Sequence, residues 1–238
     1  MNKFLSLFFL LFCFNANAKQ LKVMVIDTGY DFKSKWAFYS GPKAKLCNNG
    51  HKDFTGAGLI DNDGHGTHIA NLIGRIADDS NYCIMIAKFY DAKNIFSANN
   101  TVKAFKYAIE QNVDIINYSA GGSQPIQEEC DVVKKALNRG IIIVAAAGNN
   151  SSNLVTEKFF PAMCDDRVLK ISNVDSAKRT IASTSNYSDE TISVRGTNVI
   201  SLTPNDSIAQ KSGTSQAAAI YTGKLIKTLQ ILNNRRGE

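Results

Sequence analysis

Three histidines occur in the 238 residues, His51, His65 and His68, so chemistry that moves a proton through imidazole near neutral pH has few places to happen. Two of them fall in Asp63-Gly64-His65-Gly66-Thr67-His68. Glycines on both sides of His65 let the chain bend and leave the ring uncrowded at a loop-to-helix junction, a suitable place for a general base. Ser215 lies in Ser212-Gly213-Thr214-Ser215-Gln216-Ala217-Ala218, where a glycine-containing turn feeds an alanine-rich helix. A hydroxyl there sits near free backbone N–H groups and the positive end of the helix dipole, which favour the anion formed when it attacks a carbonyl. The same Gly-Thr-Ser also reads as an ordinary helix cap. Asp27 closes the apolar run Val23-Met24-Val25-Ile26, and an acid at the carboxyl end of a parallel strand faces the crevice where such sheets place ligands. Buried there, it can fix the tautomer of a neighbouring histidine and stabilise the imidazolium form. Together the three residue types suit nucleophilic acyl transfer.

The elements that must position them follow from the apolar pattern. From residue 21 onward, strand-length apolar runs alternate with helical periodicity, as expected of an α/β fold with a mainly parallel sheet covered by helices on both faces, a three-layer αβα arrangement. Strands are predicted over 21–26, 84–90, 113–117, 141–146 and 168–174. Ile69, Leu72, Ile73 and Ile76 form one buried helical stripe, and Val132, Val133, Ala136 and Leu137 another. Val102, Phe105 and Ile109 suggest a third helix, and a final one is predicted over 214–232, with Leu225, Ile226, Leu229 and Leu232 on its apolar side. Gly-, Asn- and Asp-rich loops fall at 47–64 and 147–153, and no repeat or Pro-rich linker divides the chain.

Composition is that of an ordinary globular protein, 44% hydrophobic and 20% charged. The first residues combine Lys3, an apolar run over 4–14 and Ala16-Asn17-Ala18, the pattern of a cleaved signal peptide. The run is too short to span a bilayer, which takes roughly 20 apolar residues. Residues 1–18 are therefore read as a signal peptide and 19–238 as one domain, secreted or periplasmic, with no membrane association once the leader is removed. Without Lys3, 26 basic residues face 21 acidic ones, a net charge of +5 with no basic run before Arg235-Arg236. That spread argues against a nucleic-acid partner. Loss of Cys13 with the leader leaves Cys47, Cys83, Cys130 and Cys164, an even number that in an exported chain suggests two disulfides with three possible pairings. We favour Cys47 with Cys83 and Cys130 with Cys164; buried free thiols are the other reading.

The segments Val25-Ile26-Asp27-Thr28-Gly29, His65-Gly66-Thr67-His68 and Gly213-Thr214-Ser215, in that order, closely resemble the three signature blocks of the subtilisin-like serine proteases. Each block is moderately specific, and the ordered set is highly so. Ile143-Val144-Ala145-Ala146-Ala147-Gly148-Asn149 looks like the family's oxyanion-hole strand, and Ser119-Ala120-Gly121-Gly122 like the segment on which a peptide substrate pairs its backbone. The resemblance implies a subtilisin-like fold and an endopeptidase acting on peptides or proteins through Asp27, His65 and Ser215. Asn149 then supplies the oxyanion donor, and no cofactor is required. If Phe159-Phe160-Pro161 aligns with the floor of the family's P1 pocket, Phe159 shortens that pocket and favours small or medium side chains.

Several features depart from the family. Asp27 follows the expected cleavage site by nine residues, leaving no room for the usual folding prosegment and pointing to unaided folding or a separate inhibitor or chaperone chain. Gln216 replaces the usual Met, an oxidisable thioether, and Ala219 and Ile220 replace Pro and His. Asp61 and Asp63 read either as loop-turn acids or as groups that attract basic substrate residues, and the oxygen-rich Asp61-Asn62-Asp63 is a candidate for a structural calcium without a complete ligand set. His68 reads as a structural helix residue, since a zinc pair with His65 lacks a third ligand. Two rival readings stand beside the protease: a catalytically silent binding module on the same fold, and an aspartic protease through Asp27-Thr28-Gly29, which would need a second such triplet.

Overall fold

The computed structural model describes residues 19–33, 44–91 and 98–236; the proposed leader lies outside them. Its centre is an eight-stranded sheet. Strand β1 (Leu21–Asp27) lies between β3 (Tyr82–Lys88) and β4 (Ile115–Tyr118), followed outward by β5 (Ile142–Ala146) and β6 (Leu169–Asp175). These pair in parallel, as do the short β2 (Lys52–Asp53) on β3 and β8 (Ile192–Arg195) on β6, while β7 (Thr180–Ile181) runs antiparallel at the edge. A separate hairpin of β9 (Val199–Thr203) and β10 (Ser207–Lys211) stands beside the sheet.

Strand side chains alternate between two cores. Val23 and Val25 pack on one face with Ile69, Leu72 and Ile73 of α1 (His65–Ala77) and Ala217, Ala218 and Ile226 of α4 (Thr214–Arg236). Met24 and Ile26 face the opposite way, toward Phe105 of α2 (Ala98–Glu110) and Val132 of α3 (Gln127–Asn138). This is the three-layer α/β arrangement expected from the alternation of strands and helices. Full burial of one such Val, Leu or Ile side chain contributes about 1.5–3 kcal/mol. The expected helical stripes face the cores, with Ile76, Ile109, Leu137, Leu225 and Leu229 only partly buried and Leu232 45% exposed near the end of α4.

Chain order places the functional segments. The path leaves β1 for β3 on one side and returns through α2 to β4 on the other, so strand order reverses between β1 and β4. Crevices beyond the carboxyl ends of strands at such a reversal are where open α/β sheets place ligands. Asp27 ends β1, Ser119 follows β4, and Asn149 follows β5. Both favoured disulfides are present: Cys47–Cys83 ties the segment before β2 to β3, and Cys130–Cys164 ties α3 to the turn after Phe160.

Candidate active site

Asp27 is 2% exposed, and its Oδ1 accepts a hydrogen bond from His65 Nδ1 at 2.7 Å and another from the Thr28 backbone N–H at 2.8 Å. Because a carboxylate only accepts, Nδ1 must carry the proton, and Nε2 is left as the basic nitrogen. Burial alone would hold His65 below the usual histidine range, but the charge and hydrogen bond of Asp27 outweigh it and raise its pKa. Asp27 Oδ2 is buried without a hydrogen-bond partner.

The placement of His65 depends on its neighbours. Gly64 precedes α1 in the left-handed region, at φ 87°, and turns the loop into the helix. Gly66 packs directly on the backbone of Gly29: a Cβ there would collide with the Gly29 carbonyl and lie 3.2 Å from Asp27 Oδ1. Any larger residue would drive the helix start away from Asp27.

Ser215 sits in the first turn of α4 and is 8% exposed. Its Oγ donates to the Ser119 carbonyl at 3.2 Å, so in the free protein the hydroxyl is turned toward the end of β4 and not toward the imidazole. Catalytic hydrogen bonds in free enzymes commonly tighten only when substrate is bound. Asn149 is anchored through its oxygen, Oδ1 accepting from the Thr214 N–H at 3.0 Å and from Thr214 Oγ1 at 3.1 Å. Its amide N–H group is thereby turned away from Thr214.

Residues 119–122 run past the end of β4, and Gly122 forms an antiparallel bridge to Phe160. Gly121 and Gly122 are exposed, leaving that edge open. A cleft of about 530 Å³ is lined by Ser119, Gly121, Gly148, Asn149, Phe159 and Ser215. Phe159 lies across it: a Cβ on Gly121 would collide with Phe159 Cε1, and one on Gly148 would lie 2.8 Å from Phe159 Cδ2. The ring is wedged between two bare backbone segments. A second pocket, of about 280 Å³, joins Asp27, Asp63 and His65 to Phe89, Tyr90 and Ser119.

The structure places Asp27 and His65 on one pocket and Asn149, Phe159 and Ser215 on the other, and the two adjoin through Ser119, Ala120 and Gly121. It separates the two loop acids, because Asp63 is exposed while Asp61 is 2% exposed with both carboxylate oxygens occupied by protein donors. Asp61 therefore cannot meet a basic substrate residue, contrary to one of the two readings above. Among the described residues, no group of three or more His, Cys, Asp or Glu could hold a metal ion. His68 is fully buried, with Nε2 on the Ala209 carbonyl at 3.2 Å. Lys88, Asp91 and Glu129 carried no sequence signal, since nothing in their local sequence marks their depth. All three are buried near the cleft. Glu129 lines a small pocket beyond Gly121 and Gly122, and burial pushes its carboxyl up.

An Asp-paired histidine and a helix-start serine at the carboxyl ends of central parallel strands define the class as a serine hydrolase on a three-layer α/β scaffold. The subtilase family profile matches residues 18–236. The Major intracellular serine protease of Bacillus subtilis (strain 168) is 33% identical over 226 residues, covering 87% of this chain and 67% of that protein. The Minor extracellular protease Epr of the same organism is 30% identical over 209 residues, covering 84% of this chain and 30% of Epr. A solved lanthipeptide protease superposes with a TM-score of 0.79 at 20% identity, over 92% of this chain and 76% of that one, a likeness of fold. The chain belongs to the subtilase family of serine proteases, and its substrates are peptides or proteins.

Proposed function

We propose that this protein is an exported endopeptidase that cleaves peptide bonds through Asp27, His65 and Ser215. The observation that carries the reading is the 2.7 Å contact between Asp27 and His65 Nδ1, which leaves Nε2 as the base in a pocket that adjoins the one lined by Ser215 through Ser119, Ala120 and Gly121.

A substrate backbone pairs along residues 119–122 and directs its scissile carbonyl at Ser215. The Ser215 hydroxyl exchanges the Ser119 carbonyl for His65 Nε2, gives up its proton there, and attacks the carbonyl carbon. The side-chain amide of Asn149 and the backbone N–H of Ser215 hold the tetrahedral oxyanion. His65 returns the proton to the leaving amine, and water then hydrolyses the acyl-enzyme with His65 again acting as base. Asp27 stabilises the imidazolium at each transfer. This chemistry needs no cofactor. Phe159 favours small side chains next to the scissile bond, because its ring occupies the space between Gly121 and Gly148.

The basic, apolar and Ala-Asn-Ala pattern of the first 18 residues supports export, as do two disulfides, which persist in oxidising compartments. Expression of the full chain in an exporting host tests both parts together. The mature protein is expected to begin at Lys19 and to hydrolyse peptides with Ala before the cut. The rate should rise with pH through a midpoint above the ordinary histidine value of about 6.5. Retention of residues 1–18 on the active protein would contradict export, and hydrolysis undiminished in Ser215→Ala would contradict the mechanism.

A further inference from the structure

We infer that Asp61 is the positioning residue for proton transfer, a buried carboxylate that fixes the strand end bearing Asp27 against the helix start bearing His65. This rests on the assignment of Asp27 and His65 made above.

Five donors converge on the Asp61 carboxylate. Oδ1 accepts from Thr28 Oγ1 at 2.9 Å, from the Gly64 N–H at 2.8 Å and from the Asp63 N–H at 3.1 Å. Oδ2 accepts from the Thr67 N–H at 2.8 Å and from Thr67 Oγ1 at 2.6 Å. The two hydroxyls also act as relays, Thr28 Oγ1 accepting from the Gly66 N–H at 2.8 Å and Thr67 Oγ1 from the Asp31 N–H at 3.1 Å. Their own protons therefore point at Asp61. Only an acceptor-only group satisfies all five, which excludes an amide as an equal substitute.

The donors are distributed on both sides of the reacting pair. Thr28 adjoins Asp27 and shares its Oδ1, while Gly64, Gly66 and Thr67 surround His65 in the chain. One carboxylate thus sets the distance between the two catalytic side chains without touching either. Asp61 is itself fixed from outside, because buried Lys88 donates to the Ile60 carbonyl at 2.6 Å and pairs with Asp91 at 2.6 Å. Asp91 also accepts from the Asn62 side-chain amide at 3.1 Å, so the residues before and after Asp61 are both pinned. Burial opposes ionisation of Asp61, but the hydrogen bonds from Thr67, Gly64 and Thr28 outweigh it and hold the carboxyl below the usual range. The group stays charged throughout the pH range in which His65 works.

The test compares Asp61→Asn with wild type, using hydrolysis rates normalised to active sites titrated with a fluorophosphonate. An amide placed among five donors must turn one N–H toward another, which displaces the loop and loosens the Asp27 contact with His65. Small misplacements of catalytic groups cost up to about 10²-fold. We expect kcat per active site to fall by about 10- to 100-fold with KM little changed, and the acid limb of kcat/KM to move to lower pH. A brace that served only folding would lower the titre and leave per-site kcat and the acid limb alone; that result overturns the inference. If Asp61→Asn does not fold, Thr28→Val and Thr28→Ser decide. Val removes the relay at constant shape and should show the same losses, and Ser should restore them; wild-type behaviour of Thr28→Val overturns the inference. Full activity in Ser215→Ala would instead show that the triad assignment had failed, whereas an inactive Ser215→Ala beside a normal Asp61→Asn removes Asp61 alone.

Discussion

The two walls of the cleft are built from different materials. On the His65 wall, positions are set by buried side-chain hydrogen bonds: the Asp27 contact, the donors on Asp61, and the Lys88–Asp91 pair behind the loop. On the wall formed by residues 119–122, 148–149 and 159–160, the backbone does most of the work, through the Gly122 bridge to Phe160 and the Phe159 ring pressed against two glycines. Side chains hold this wall at two points, the Asn149 contact with Thr214 and the Ser215 hydroxyl on the Ser119 carbonyl. The difference follows from the tasks. A group that passes a proton must be held in angle and charge, and short polar bonds do that. A surface that receives many peptides needs open N–H and C=O edges and a shaped hole, which backbone and an aromatic ring supply.

Each wall can be broken separately. The largest effect belongs to Asn149 on the substrate wall: Asn149→Ala is expected to lower kcat by about 10²- to 10³-fold, or about 3–4 kcal/mol of transition-state stabilisation, with KM nearly unchanged. A loss shared equally between kcat and KM would move Asn149 from oxyanion binding to substrate positioning.

Next comes the proton-transfer wall's dependence on acid. His68, facing Lys211 and His65 as well as the Ala209 carbonyl, is driven down to about 4, chiefly by burial. The folded chain keeps it neutral while the unfolded chain takes up a proton below about 6.5, so stability falls as pH drops from about 6.5 toward 4. The contribution is about 3 kcal/mol. Denaturant unfolding of Ser215→Ala, which cannot digest itself, measures it against the same protein carrying His68→Gln. The variant should lose less stability over that interval; equal losses would remove His68 from the account.

The smallest effect concerns pocket shape. Phe159→Ala should raise kcat/KM for Phe or Leu before the cut, relative to Ala, by about 10- to 100-fold, the scale set by 1–3 kcal/mol of apolar contact. An unchanged ratio would place the selective surface elsewhere.

How much of this was legible in the sequence divides along the same line. Five strands of the sheet, β1, β3, β4, β5 and β6, and the four helices were readable because both core faces impose an apolar period, whereas the short edge strands β2, β7 and β8 were not. The β3 strand expected over 84–90 runs from Tyr82 to Lys88, and Lys88 is fully buried at its end because Asp91 and the Ile60 carbonyl satisfy it. The β9–β10 hairpin went unread. Ile200 and Ile208 stay about half exposed while Ser201 is buried, so the apolar residues do not mark the buried face, and its turn uses Asn205 and Asp206 at positive φ without a glycine. Motif order singled out Asp27, His65, Ser215 and Asn149, and the structure adds the Asp27–His65 contact and the Thr214 anchor of Asn149. The role of Asp61 was not legible, because its meaning lies in donors from 28, 63, 64 and 67 that only the fold brings together.

The most direct test of the central claim is covalent labelling. A fluorophosphonate should modify the mature protein at one site per chain, peptide mapping should place it on Ser215, and Ser215→Ala and His65→Ala should both abolish or nearly abolish the label. Stoichiometric labelling at another residue, or undiminished labelling of His65→Ala, would contradict the account.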